Sequence, residues 1–268
     1  MKNIKKYIPF LRANIMQMFI YRGTVWLWLL VDVFQFTMMI FLWKSVYQYQ
    51  DAINGFSFNQ MLVYFLLTNV FMVFTDVEAI FNISEEIREG RISLYLIKPI
   101  SYKRRLFYEI LGRTMGLLIL LLPIVVIFGT ILTFIFNIVW TITLIDVLLA
   151  LVFIPLIFIL MYEVSFLFGT IAIYTTNVFG VVIFMSVLVR VVSGQLIPLA
   201  LYPENLRNII SYMPFQFISY PPLLLLNKLG TEQAIKGILL LIGWIIIFKI
   251  ISHYVFKFSM KKMVVFGG

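Results

Sequence analysis

The sequence has no cysteine and a single histidine, His253, in 268 residues. Disulfides, thiolate chemistry and Cys-ligated metal are thereby excluded, and a His-based metal site or catalytic triad lacks its parts. Charge is also scarce, at 12% of residues against ~25% in an ordinary soluble domain. No stretch reads G-x-x-x-x-G-K-[ST], so the chain has no P-loop with which to hydrolyse a nucleotide. Lys2, Lys5 and Lys6 are not followed by a compact apolar region and a small-residue cleavage site, so the N-terminus is expected to be kept rather than removed as a signal peptide. There is no low-complexity linker, second soluble domain or strong internal repeat.

What is abundant is apolar side chain, 62% of the residues, gathered into runs near the ~20 residues that a helix needs to cross the hydrocarbon core. Six spans are expected, at residues 24–46, 58–81, 106–134, 143–174, 178–197 and 234–256. The fourth is long enough to be tilted or broken, with Pro155 as a kink. The expected fold is an all-α integral membrane protein, divided into an N-terminal amphipathic interfacial helix (1–22) and a six-span transmembrane domain (23–268).

An even number of spans puts both termini on one side, and the distribution of Lys and Arg selects the side. Lys2, Lys5, Lys6, Arg12 and Arg22 precede the first span, Arg88, Arg91, Lys98, Lys103, Arg104 and Arg105 join the second to the third, and Lys257, Lys261 and Lys262 close the chain. All three groups belong in the cytoplasm by the positive-inside rule. The formal charge of +9 is thus read as a topology signal and a contact for anionic lipid, not as a nucleic-acid surface.

Ile4, Ile8, Leu11, Ile15 and Phe19 recur at helical spacing, with Lys5, Lys6, Arg12 and Gln17 on the other side. This pattern predicts a helix lying in the interface, started or kinked by Pro9, or else a cytosolic helix packed on a partner. Between the second and third spans, Asn82 followed by Glu85 has the form of a capping box, and Gly90 offers a stop. A short helix outside the bilayer, then a turn at Lys98-Pro99, is expected there, with a plain solvated loop as the alternative. Residues 193–222 are too apolar for a free loop and too rich in proline for a continuous span. They are expected to form short re-entrant helices at the outer leaflet, lining a pathway or capping the bundle.

Two of these segments resemble a known family. The stretch Glu86-Ile-Arg-Glu-Gly-Arg-Ile-Ser-Leu-Tyr-Leu-Ile-Lys-Pro-Ile-Ser101 looks like the coupling segment of ABC-2 type permeases. Gly194, Pro198, Pro203, Pro214 and Phe215 look like their extracellular re-entrant hairpin. With six spans and the N-terminal helix, the similarity covers nearly the whole chain and is strongest to short permeases resembling daunorubicin-type exporters. It implies a non-catalytic subunit that binds no cofactor, ATP and Mg belonging to two cytosolic ABC ATPase subunits. It also implies a second permease chain, paralogous or identical, and export of lipid, glycan, peptide or drug across a plasma membrane, bacterial by its likeness. The ATPase-coupling residues on this reading are Ser84, Glu85, Glu86, Arg88, Glu89, Gly90, Arg91 and Pro99.

Asp32, Glu163 and Arg190 fall deep inside the expected spans, where charge is costly without a partner or water. An ion pair of Arg190 with Glu163 or Asp32 is expected, serving either a polar site on the translocation pathway or helix register. Asp76 and Glu78 are expected to face water near the cytoplasmic end, and His253 to sit at the interface. Gly112 and Gly116 form a small-xxx-small pair suited to close helix packing. A lipid-modifying membrane enzyme and an ion-coupled carrier remain competing functions. The first lacks clustered acids, bases or metal ligands at one depth, and the second lacks a visible inverted repeat.

Overall fold

The computed structural model describes residues 4–75, 78–175 and 178–261. Asp76, Lys2 and Lys262 lie outside the described residues. The described chain is almost wholly helical: α1 (Ile8–Ile20), α2 (Arg22–Val46), a two-stranded ribbon of β1 (Ala52–Ile53) and β2 (Phe56–Ser57), α3 (Phe58–Met72), α4 (Glu78–Arg88), α5 (Arg91–Leu96), α6 (Tyr102–Phe136), α7 (Leu144–Gly169), α8 (Phe179–Val192), α9 (Glu204–Ile210), α10 (Tyr220–Leu225) and α11 (Thr231–Met260). Among the described residues, five helical segments are long and apolar enough to cross a membrane: Arg22–Tyr49, Phe58–Arg88, Tyr102–Phe136, Leu144–Ile173 and Thr231–Met260. The expected fifth span is instead the 14-residue α8, ~21 Å long at 1.5 Å per residue against a hydrocarbon core of ~30 Å. The chain is an all-α multi-pass membrane protein.

Local chemistry sets the ends of these helices. Ser57 and Gln60 form a reciprocal capping box on α3, and Thr143 and Asp146 form another on α7. The ribbon turns at Asn54 (φ 46°) and Gly55 (φ 82°), the pair favoured for a two-residue hairpin loop. Ser101 caps α6, which therefore starts four residues before the expected boundary at 106. Pro155 lies inside α7 without ending it, and the helix tightens into a 3₁₀ turn only at Thr170–Ile173.

One end of the bundle, the basic end, gathers the N-terminal segment, α4, α5, the start of α6 and the close of α7 and α11. Tyr7 stacks on Tyr108, its hydroxyl accepts from the Ser101 amide at 3.0 Å, and Tyr102 stacks on Phe256. The opposite end holds the ribbon and the loops 137–143 and 198–230. There Asn54 donates to the Ala200 carbonyl, Lys228 to the Gly55 carbonyl and Asn227 to the Thr141 hydroxyl.

α1 runs along α6, and the inward residues are Tyr7 and Met18, with Leu11 and Ile15 half-buried. The expected stripe is thus partly displaced, since Ile4 and Phe19 are exposed. Gly112 and Gly116 permit the approach. A Cβ at Gly112 would meet the Leu11 carbonyl, and one at Gly116 would come within 2.9 Å of Met18. The main core joins α4, α6, α7, α8, α10 and α11, and a second cluster joins α2, α3 and the end of α6. Gly169 brings α7 onto α4, where a Cβ would lie 3.2 Å from the Ala79 carbonyl.

Candidate functional site: the clamped segment at the basic end

Residues 78–100 double back on themselves while packed against the basic end of the bundle, and their geometry follows from one glycine and one arginine. α4 starts at Glu78, so Asn82 lies in its second turn and makes no capping box. The apolar run that suggested a span ending at 81 is followed on the same helix by Ile83, which is fully buried. Gly90 then adopts φ 69°, the left-handed conformation that costs other residues a Cβ clash, and α5 begins at the next residue. A bend over residues 97–100 returns the chain to Ser101.

The arginine is Arg105, whose side chain is 1% exposed. Its Nη2 donates to both carboxylate oxygens of Glu86 at 2.7 Å, and its Nη1 donates to both oxygens of Glu109 at 2.7 and 2.8 Å. The guanidinium lies over the Tyr95 ring, 3.6 Å from its centroid, and Tyr102 donates a hydroxyl hydrogen bond of 2.8 Å to Glu86. One buried cation therefore fastens α4, α5 and α6 together. Removing one partner of such a pair costs ~3–5 kcal/mol because a charge is left buried and uncompensated.

Two further pairs extend the clamp. Arg113 on α6 meets Glu78 at the start of α4. Lys103 meets Glu163 of α7 and donates to Ser252 of α11 at 2.6 Å, while Ser252 donates to Glu163 at 2.5 Å. Glu78 is thus buried and paired rather than facing water. Glu163 is paired with Lys103 and not with Arg190, because the early start of α6 carries Lys103 to the level of Glu163. Arg190 is exposed and makes no salt bridge among the described residues, although Asp32 lies within reach of its charge.

The residues expected to couple to a partner divide in two. Glu86 is buried, Ser84 and Gly90 are half-buried, and Glu85, Arg88, Glu89, Arg91 and Pro99 are exposed. Arg91 pairs with Glu89 and reaches Glu85 at 3.6 Å. Desolvation works against its charge, but together the carboxylates of Glu89, Glu85 and Glu86 outweigh it and raise its pKa above the ordinary arginine value. Beside this rim stand Leu94, Leu96 and Ile97, 56%, 40% and 81% exposed. A charged rim around exposed aliphatic side chains is a surface that a protein partner can cover.

At the opposite end, the expected hairpin residues each begin or turn an element. Gly194 (φ 78°) turns the chain after α8, and its carbonyl accepts from the Tyr64 hydroxyl at 2.7 Å. Pro198 precedes the 3₁₀ turn Leu199–Leu201, Pro203 precedes α9, and Pro214 opens the 3₁₀ helix Pro214–Ser219, within which Phe215 is buried. His253 is exposed beside Tyr254. No group of three or more His, Cys, Asp or Glu side chains among the described residues could hold a metal ion.

The sequence profile described as ABC-2 family transporter protein matches residues 33–267. No curated protein and no solved structure matches the chain.

Proposed function

Since this chain belongs to the ABC-2 family of transporter proteins and is a membrane-spanning permease, we propose that it carries an amphiphilic substrate outward, driven by two cytosolic ABC ATPases that bind the segment 84–99. The observation that carries this reading is the two-sided character of that segment. Its inner face is locked to α6 through Glu86 and Arg105, and its outer face offers Glu85, Arg88, Glu89 and Arg91 around Leu94, Leu96 and Ile97. A push on the outer face is then delivered to α3–α4 and α6 as a rigid displacement instead of being lost in a loose loop. ATP and Mg act in the partner, and this chain contributes no catalytic group.

In this reading the basic end is cytoplasmic and both termini lie there. The sixth crossing is shared between α8 and the hairpin that follows it. α8 ends beside Tyr64, six residues below the start of α3, hence ~9 Å short of that end of the bundle at the helical rise. The short helices from Pro214 to Leu225, most of whose side chains are buried, complete the thickness under protein cover, the setting in which broken helices are tolerated at membrane depth. The exposed apolar sides of α2 and α8 leave room for a second permease, identical or paralogous, and for lipid.

The test is expression of the chain with a tagged P-loop ATPase from the same cell. Stable co-purification, with ATP turnover that rises when the chain is present, is expected. An ATPase that neither binds nor responds would overturn the coupling role. Single cysteines are clean probes in a chain with none. One at Gln50 should react with an impermeant maleimide from outside the cell, and one at Lys98 only after the membrane is opened; the reverse would overturn the orientation.

A further inference from the structure

At the end of the bundle opposite the ionic clamp, a cavity of about 230 Å3 lies between the start of α3, the loop 137–143 and the end of α10. At ~30 Å3 for each water of the liquid, that is room for about seven waters. It falls short of the ~300 Å3 at which pockets for drug-sized ligands begin, so its scale is that of one small ring. Val63, Ile138 and Leu226 give it apolar ground, and among the described residues no charged side chain lines it.

The polar side chains around it are held in place by one bond and keep another group free. Gln60 accepts the Ser57 amide on its Oε1, so its own amide nitrogen still has hydrogens to give. Ser57 accepts the Gln60 amide, and Thr141 accepts from Asn227 at 2.9 Å, which leaves both hydroxyl protons unspent. Asn59 donates to the Phe136 carbonyl at 2.9 Å, and its Oδ1 remains an acceptor. Asn137, at φ 49°, makes no side-chain hydrogen bond among the described residues. Trp140 is 39% exposed, with its indole N–H fixed on the Thr133 hydroxyl at 3.0 Å. All six side chains are half-buried or exposed, so a ligand can reach them.

We infer that this cavity binds one neutral sugar ring. Hydroxyls both give and take hydrogen bonds, so such a ring answers the donors of Gln60, Ser57 and Thr141 and the acceptors of Asn59 and Asn137 together. Its C–H face fits the indole of Trp140 and the apolar ground beneath. A charged ligand would leave water for a site with no counter-charge, and a hydrocarbon would displace the water on these groups while replacing none of its bonds. Free sugar and the sugar head of a lipid share this chemistry. The binding site rests on its own geometry; that its ligand is also cargo rests on the permease reading.

The experiment is native mass spectrometry of the purified full chain in an amine-oxide detergent, so that no sugar detergent competes. The chain is titrated with methyl glucoside, methyl galactoside and methyl mannoside, with glucosyl diacylglycerol, and with diacylglycerol of the same chains. A methyl hexoside should bind, or the glucosyl lipid should bind more tightly than diacylglycerol; the first outcome assigns free sugar as the source and the second the lipid head. Trp140→Ala should weaken the bound sugar about tenfold, while Tyr212→Ala, exposed and outside the cavity, should leave it unchanged. Asn137→Gly keeps the left-handed backbone but removes the carboxamide, and should weaken binding about two- to tenfold with the unfolding midpoint unmoved. No hexoside binding together with a glucosyl lipid no tighter than diacylglycerol would overturn the site, as would equal effects of the two aromatic variants or unchanged binding by Asn137→Gly. Each of these results is independent of ATPase co-purification, so failure of the sugar site leaves the permease reading to its own test.

Discussion

Glu86 and Glu89 are three residues apart in one short stretch, yet they belong to different worlds. Glu86 is buried between Arg105 and Tyr102, whereas Glu89 is exposed just past the end of α4 and pairs with Arg91. The same functional group on the same segment thus fixes the protein in one case and is offered to a partner in the other. Depth decides which, because a buried pair that loses one member costs ~3–5 kcal/mol and a surface pair is worth ~0–1 kcal/mol.

The largest expected effect comes from attacking the buried side of this comparison. Arg105→Met should lower the stability of the purified chain by ~3–5 kcal/mol, read as a large fall in the unfolding midpoint, and Glu86→Lys should do at least as much by setting two cations together. If Glu86→Lys leaves the midpoint unchanged, the clamp is not what holds the segment. Lys103→Met comes next. It strips Glu163 and Ser252 of their partner, but Lys103 is partly open to solvent, so a loss smaller than that of Arg105→Met is expected in the same melt.

Gly90→Val tests the joint between the two faces. A β-branched residue forced to φ 69° is strained by ~1–3 kcal/mol, so α5 should lose its orientation while the rest of the bundle stays. A melt lowered by no more than this, with ATPase stimulation largely lost, is the expected pair of results. The smallest effect on stability belongs to the exposed rim. Glu89→Lys should move the midpoint by an amount within ~1 kcal/mol yet reduce ATPase binding. Asn208→Lys on the exposed surface of α9 should change neither reading.

How much of this could be read beforehand depended on the range of the interaction. Spans, the stop at Gly90 and the close pair Gly112 and Gly116 are local patterns, and each is visible along ten or so residues. The hairpin prolines are also local, and each falls at the start of an element. The clamp was not visible. Of its bonds only Arg105 to Glu109 has helical i,i+4 spacing, while Glu86 lies 19 positions from Arg105 and Lys103 lies 60 from Glu163 and 149 from Ser252. Hydropathy alone also did not show where the helices end. It stopped the second span at 81 although α4 continues to Arg88, and it gave full length to a fifth span whose helix ends at Val192. Apolar character reports that a residue avoids water, and it does not say whether lipid or protein provides the shelter. α2 and α3 show this plainly, since α2 buries only Phe36 and Trp43 while α3 buries eight side chains.

The most direct test sets the two glutamates side by side as Glu86→Gln and Glu89→Gln in otherwise identical chains, with unfolding midpoint and retained ATPase measured on each. The expected result is a crossed pattern: Glu86→Gln melts at clearly lower temperature, while Glu89→Gln melts as the parent does and retains less ATPase. If both variants lose stability and ATPase together, or neither loses either, the division of this segment into a clamped face and a docking face is contradicted.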